Sequence, residues 1–218
     1  MSESKARSIR IVLLGPPASG KGTQGRRLAA NFGLGYFSTG ALLREQVENT
    51  TPLGKIAGPI LERGEYLPDD LMCRILAGWL ERQTGGWVLD GFPRSLPQAL
   101  FLGEWLAAHH QQLDAAVLLD VPYEELASRI RHRVECPDCR WSGQDHQTVR
   151  DDRCPVCATP AVPRADDSEQ NFARRHQEFM RHTQPAISFY QDSDLLIRCD
   201  ATAPQDEVSA KLLQLLVQ

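Results

Sequence analysis

No apolar run in the sequence approaches the roughly 20 residues that a membrane-spanning helix needs, so no membrane span is expected. An excess of positive charge is missing as well: 24 Lys and Arg stand against 28 Asp and Glu, for a net charge of −4. That balance argues against a protein that coats nucleic acid or an anionic membrane, and leaves room only for a local basic cluster facing a small anion. The apolar run at residues 9–14 is too brief for the core of a signal peptide. Internal repeats and low-complexity tracts are absent too. What is there is ordinary for a soluble globular chain: 218 residues, 42% hydrophobic and 24% charged. One main domain with small inserted subdomains is expected, in the cytoplasm.

Short apolar runs at residues 9–14, 87–89, 115–119 and 195–199 lack polar alternation and read as strands buried on both faces, with 35–38 as a weaker fifth. Helical periodicity marks 21–32, 40–49, 53–63, 69–82, 96–109 and 123–132, then one long helix over 167–192 and a last one over 204–217. Strands alternating with helices imply βαβ crossovers and an α/β fold, a parallel sheet covered on both sides. Two stretches differ. Residues 38–68 are helical with little apolar surface, as in a small mobile subdomain. Residues 135–163 have no sustained apolar period and hold four cysteines.

Directly after the first strand comes Gly15-Pro16-Pro17-Ala18-Ser19-Gly20-Lys21-Gly22-Thr23. This spacing fits a phosphate-binding loop, in which backbone N–H groups and a helix N-terminus wrap an oligophosphate and the lysine reaches its outer phosphates. The strict pattern wants Ser or Thr directly after the lysine, where Gly22 stands here. The competing reading is a Gly/Pro turn with an exposed lysine, and the placement between strand and helix speaks against it.

Cys136-Pro-Asp-Cys139 and Cys154-Pro-Val-Cys157 enclose fourteen residues, a strong signal for a structural zinc ion held by four thiolates with no open position. Such an ion supplies the core that residues 135–163 lack. Disulfides are the weaker alternative in a cytosolic chain. His146 lies between the knuckles and reads as a polar loop residue. His132 and His176 read as ordinary polar positions, and Cys73 and Cys199 as small buried apolar ones.

Further motifs follow in order: Lys21-Gly22-Thr23-Gln24, Ser38-Thr39-Gly40 through Arg44, Asp90-Gly91-Phe92-Pro93-Arg94 through Gln98, Arg164-Ala165-Asp166-Asp167, and Arg175. Together they resemble the adenylate kinase family of nucleoside monophosphate kinases, from about residue 9 to the C-terminus, and the cysteines resemble the zinc-bearing lid of its long form. The resemblance implies a P-loop nucleoside-triphosphate hydrolase-like three-layer fold with a five-stranded parallel sheet. It implies a core of residues 1–38, 68–131 and 165–218, an AMP-binding subdomain at 39–67, and a lid at 132–164. The implied reaction is MgATP + AMP ⇌ 2 ADP, by a monomer with no nucleic-acid or membrane partner.

Carried over by position, Ala18, Ser19, Gly20, Lys21, Gly22 and Thr23 face the ATP phosphates, Arg129 stacks on the ATP adenine, and Ala203 also binds ATP. Thr39, Arg44, Gly91, Arg94 and Gln98 hold AMP, with Glu65 to Leu67 lining the base through the backbone and Arg164 and Arg175 also reaching AMP. Lys21, Arg94, Arg133, Arg164 and Arg175 are the catalytic set. Asp90 orients magnesium through water or, on the plainer reading, caps a strand end. The residue types suit the chemistry, because phosphoryl transfer between phosphates needs alignment and positive charge more than a strong base. Arginine forks pair with phosphate oxygens and stay charged.

Three positions depart from the family pattern. Ala18 stands where Gly is usual, Ala41 where Asp is common after Ser-Thr-Gly, and Arg131-His132-Arg133 lacks the usual paired arginines, so that Arg133 could slip by one. The rival readings are a kinase for UMP or CMP and a nucleotide-sensing zinc protein without catalysis. Thr39 and Gln98 favour adenine, and the full arginine set speaks against lost catalysis.

Overall fold

The computed structural model describes residues 8–164 and 166–217; the expected core segments also reach 1–7, Ala165 and Gln218, which lie outside the described residues. The strands are β1 (Arg10–Leu14), β2 (Gly35–Ser38), β3 (Trp87–Asp90), β4 (Ala115–Asp120), β5 (Arg133–Glu135), β6 (Ser142–Gln144), β7 (Val162–Pro163) and β8 (Leu196–Asp200). Five of them form a parallel sheet in the order β2-β3-β1-β4-β8, with Leu13 in register with Asp90 and Leu14 with Leu118.

Alternate residues of the central strands feed two separate cores, because successive side chains leave a strand on opposite faces. Val12, Leu14, Leu89, Ala116 and Leu118 face one core, and Ile11, Leu13, Val88, Val117 and Leu119 face the other. The first is covered by α4 (Asp69–Leu80), α5 (Leu96–Ala108) and α8 (Gln184–Asp192). The second is covered by α1 (Lys21–Phe32), α6 (Tyr123–Arg131), α7 (Glu169–Glu178) and α9 (Gln205–Val217). This is the expected three-layer α/β arrangement. One expectation is corrected: β8 is not buried on both faces, since it is an edge strand with Arg198 and Asp200 exposed.

The strand order reverses at β1, whose neighbours β3 and β4 lead to opposite sides of the sheet. A crevice therefore opens beyond the carboxyl ends of these strands, the usual ligand site of such sheets. Two insertions border it. One is a helical pair, α2 (Thr39–Glu48) and α3 (Pro52–Glu62), started by the side chains of Ser38 and Thr51, which accept from the N–H groups of Ala41 and Gly54. The other is a three-stranded antiparallel sheet, β6-β5-β7, in the stretch whose sequence shows no apolar period.

The expected long helix over 167–192 is present from Glu169 to Asp192, but it is not regular throughout. Between α7 and α8, residues Phe179–Thr183 widen into a π-helical turn. Pro185 follows after Gln184; it has no N–H to donate to the carbonyl four residues back, and its ring crowds that carbonyl, so the turn before it opens.

Candidate active site

A cavity of about 820 Å³ fills the crevice between the sheet, the helical pair and the small sheet. Its floor is the loop after β1. Gly15 and Gly20 adopt positive φ (144° and 95°), and so does Ala18 at φ 66°, so the position where Gly is usual does require the left-handed conformation and the alanine adopts it. The loop curls around the Lys21 ammonium, which donates to the carbonyls of Gly15 (2.7 Å) and Pro16 (2.8 Å). Burial pushes the lysine down to about 7; Asp90 opposes the shift, while Arg94, Arg175 and Arg133 add to it.

Asp90, at the end of β3, accepts from the Tyr36 hydroxyl (2.9 Å) and the Ser38 hydroxyl (3.0 Å). The chain then turns through Gly91 to Arg94, whose Nε donates to the Gly91 carbonyl (2.8 Å) and whose Nη2 donates to the Thr39 hydroxyl (3.1 Å). The Arg94 guanidinium lies 4.7 Å over the Tyr66 ring, and the Arg94 carbonyl accepts from Thr183 (2.9 Å). Gln98 is buried, accepts from the Arg94 N–H (2.8 Å) and donates to Asp69 (2.7 Å). Each end of its amide is thus engaged, and each keeps one further bonding capacity.

Opposite stand the arginines of the small sheet and of α7. Arg133 forms a two-pronged pair with Asp167. Arg164 pairs with Asp166 (2.7 and 3.0 Å), and Arg175 reaches Asp166 (3.1 Å). Burial, with Arg164 next, pulls Arg44 down to about 10; burial likewise brings Arg175 to about 10, with Asp166 opposing. Asp166 itself is held well below the usual carboxylate range: burial would raise it, but Arg164 and Arg175 outweigh that. These carboxylates hold the arginine forks in a fan around the cavity. Arg129 donates to Glu125 (3.0 Å) and to the Ala201 carbonyl (2.8 Å) at its far wall.

The cavity is lined by Ala18, Ser19, Gly20, Lys21, Gly22, Thr23, Arg44, Asp90, Gly91, Arg94, Arg129, Arg133, Arg164, Arg175 and Ala203. Thr39, Glu65, Leu67 and Gln98 line a small adjoining recess that shares Gly91, Arg94 and Tyr66 with it. The sequence-selected residues thus come together at one place. The Glu65 carboxylate points away to Arg63 (2.8 Å). At the uncertain arginine register, Arg133 faces the cavity, Arg131 pairs with Glu169 (3.4 Å), and His132 pairs with Asp145 (2.9 Å). His176 packs against Tyr123 and Phe172. Sequence reasoning missed Tyr36 and Thr183, which touch the site from distant segments and carry no local signature, and it did not foresee the contact of the Tyr66 ring with Arg94.

The four cysteine sulfurs of the small sheet's outer end lie within 4.8 Å of one another, with Cys136 and Cys157 at 3.4 Å and Cys139 and Cys154 at 3.5 Å. Four thiolates around one zinc ion have their sulfurs about 3.8 Å apart, so the set fits a tetrahedral site. His146 is exposed and outside it. Cys73 and Cys199 are buried in α4 and β8, as expected. Among the described residues, no helix is long and apolar enough to cross a membrane.

A phosphate loop at the switch point of a parallel sheet, faced by a fan of arginines, defines a phosphotransferase of the nucleotide kinase class. The family model for adenylate kinase matches residues 13–195. An adenylate kinase from Petrotoga mobilis is 36% identical over 210 residues, covering 95% of this chain and 97% of its own length. One from Methanosarcina barkeri is 36% identical over 214 residues, covering 95% of this chain and 98% of its own. The chain belongs to the adenylate kinase family.

Proposed function

We propose that this cleft carries out MgATP + AMP ⇌ 2 ADP, with the ATP phosphates over the β1–α1 loop and AMP in the recess bounded by Thr39, Leu67 and Gln98. The observation that carries the reading is the continuity of cavity and recess across Arg94, with Lys21 and the arginine fan around the junction. Lys21 and the N–H groups of Ser19 to Thr23 hold the donor phosphates, and Arg129 and Ala203 flank the donor base. Arg44 and Arg94 grip the AMP phosphate and aim its oxygen at the terminal phosphorus. Arg133, Arg164 and Arg175 exchange their carboxylate partners for the transferring group and neutralise its charge. No general base is needed, since the attacking phosphate oxygen is already ionised.

The donor set fits magnesium: Asp90 presents a hard oxygen beside the phosphate loop, and the metal supplies charge to the outer ATP phosphates when bound. Zinc fits the four thiolates and has a structural role, since no coordination position stays open. Residues 39–67 and 132–164 move as two units over the core formed by 1–38, 68–131 and 165–218, and their closure excludes water, the competing acceptor. The protein acts as a monomer in the cytoplasm.

A coupled assay of ATP-to-AMP transfer on the wild type and Lys21→Met, repeated with UMP and CMP as acceptors, tests the reading. Transfer to AMP that vanishes in the variant is the expected result. Preference for UMP or CMP, or equal turnover by a folded variant, overturns it.

A further inference from the structure

We infer that Tyr36 is a positioning residue for the magnesium side of the reaction: its hydroxyl fixes the Asp90 carboxylate so that one oxygen is held by the protein and the other is left for the metal's water shell. The inference rests on the reading of Asp90 as the magnesium-side carboxylate.

Tyr36 and Ser38 lie on the same face of β2, two residues apart, and Ser38 is in register with Asp90. Their hydroxyls donate to the same atom, Asp90 Oδ2, at 2.9 and 3.0 Å. Among the described residues, no hydrogen-bond donor reaches Oδ1. Two donors on one oxygen lock the carboxylate's rotation and leave its other oxygen as the acceptor. Asp90 is buried, so its orientation is not averaged by solvent. Burial, and then Asp90 itself, drives the Tyr36 phenol well above its ordinary range, which keeps it a donor.

The surroundings are cut to fit this ring. A Cβ at Gly25 of α1 would lie 2.7 Å from Tyr36 Cε2 and 3.0 Å from Leu13 Cδ1, so any side chain there would displace the ring. At position 41, where a carboxylate would give a second acceptor for metal-bound water, this chain has alanine. Without that second acceptor at position 41, the orientation of Asp90 matters more.

The test is a magnesium titration of transfer from ATP to AMP in the wild type, Tyr36→Phe and Asp90→Asn. Alongside it, melting is measured with β,γ-imido-ATP, with and without Mg²⁺. Tyr36→Phe removes one oxygen and keeps the ring. We expect it to need about tenfold more magnesium for half-maximal rate, the effect of one hydrogen bond to a charged group, with kcat at saturating magnesium changed far less. The melting increment from magnesium should shrink, while that from metal-free analogue stays. Gly25→Ala, which moves the ring without removing the hydroxyl, should shift the titration in the same direction and serves as a second arm if Tyr36→Phe folds poorly. If Asp90→Asn alters the magnesium dependence and neither other variant does, the inference about Tyr36 is overturned and the role of Asp90 stands. If Asp90→Asn also leaves it unchanged, both fall.

Discussion

Arg140, the residue after Cys139 in the first cysteine turn, donates from both terminal nitrogens to the Glu48 carboxylate at the end of α2, at 3.2 and 2.6 Å. It is a direct tie between the two insertions across the mouth of the cavity. Both partners are about half exposed, so the pair is weak in energy and sensitive to salt. Glu48→Gln should raise KM for ATP and AMP by up to about threefold without lowering kcat, and the gap to wild type should close at high ionic strength. A large fall in kcat would mean the contact does more than hold the insertions together.

Lys21 loses its proton near pH 7 in the folded protein, against an ordinary value of 10.5. Between these values the unfolded chain binds more protons, so the lysine's contribution to stability rises with pH across that window; below it the folded protein bears the full burden of a buried cation. Lys21→Met should therefore melt above wild type at pH 6, with the margin narrowing towards pH 10, while transfer falls about 10³-fold or more. Melting curves across pH check the sign; a margin that widens with pH would refute it.

Arg94 is held by three different contacts: the Gly91 carbonyl, the Thr39 hydroxyl and the Tyr66 ring. A fork with this much support is placed for direction as well as charge. Arg94→Lys keeps the charge and loses the fork, and should still lose about 10²-fold in kcat/KM for AMP. Recovery of most activity by lysine would reduce the residue to a point charge.

Ala18 sits in the left-handed region at φ 66°. An L-residue there is strained by about 1–2 kcal/mol, partly offset by the greater freedom glycine has when unfolded. Ala18→Gly should stabilise the protein by about 1 kcal/mol, or a melting shift of about 2–4 °C. A lower melting point would show that the Ala18 methyl contributes packing that outweighs its strain.

Zinc removal should act on the insertion at 132–164 before the rest of the fold, because its two knuckles converge on four sulfurs and Cys136 and Cys154 are buried. Chelation, or Cys154→Ser, should lower the melting temperature and raise KM for ATP. Metal analysis of purified protein checks the premise; protein free of metal yet unchanged by chelation would refute it.

The central strands were readable because Ile11 to Leu14 and Ala115 to Leu119 are buried on both faces and so carry no polar residues to blur the run. The phosphate loop and the Asp90 to Arg94 turn were readable because their chemistry is local. The strands at 133–135, 142–144 and 162–163 were not, since they are two or three residues long and answer to cysteine geometry rather than to an apolar period. Nor were the contacts of Tyr36 with Asp90 or of Thr183 with Arg94, which join residues 54 and 89 apart in the chain. The arginine register stayed open in the sequence because it depends on where α6 ends: Arg131 still belongs to that helix, and Arg133 opens β5 facing the cavity.

The widened turn at Phe179–Thr183 has a phase consequence. Eight residues of regular α-helix overshoot two full turns by about 80°, which would rotate Thr183 away from the azimuth of Arg175. A turn that takes up one extra residue absorbs that surplus. Arg175 and Thr183 then look into the same cavity from one continuous rod, the first towards Asp166 and the second towards the Arg94 carbonyl. The distortion acts as a vernier, setting two points of one helix to a common bearing.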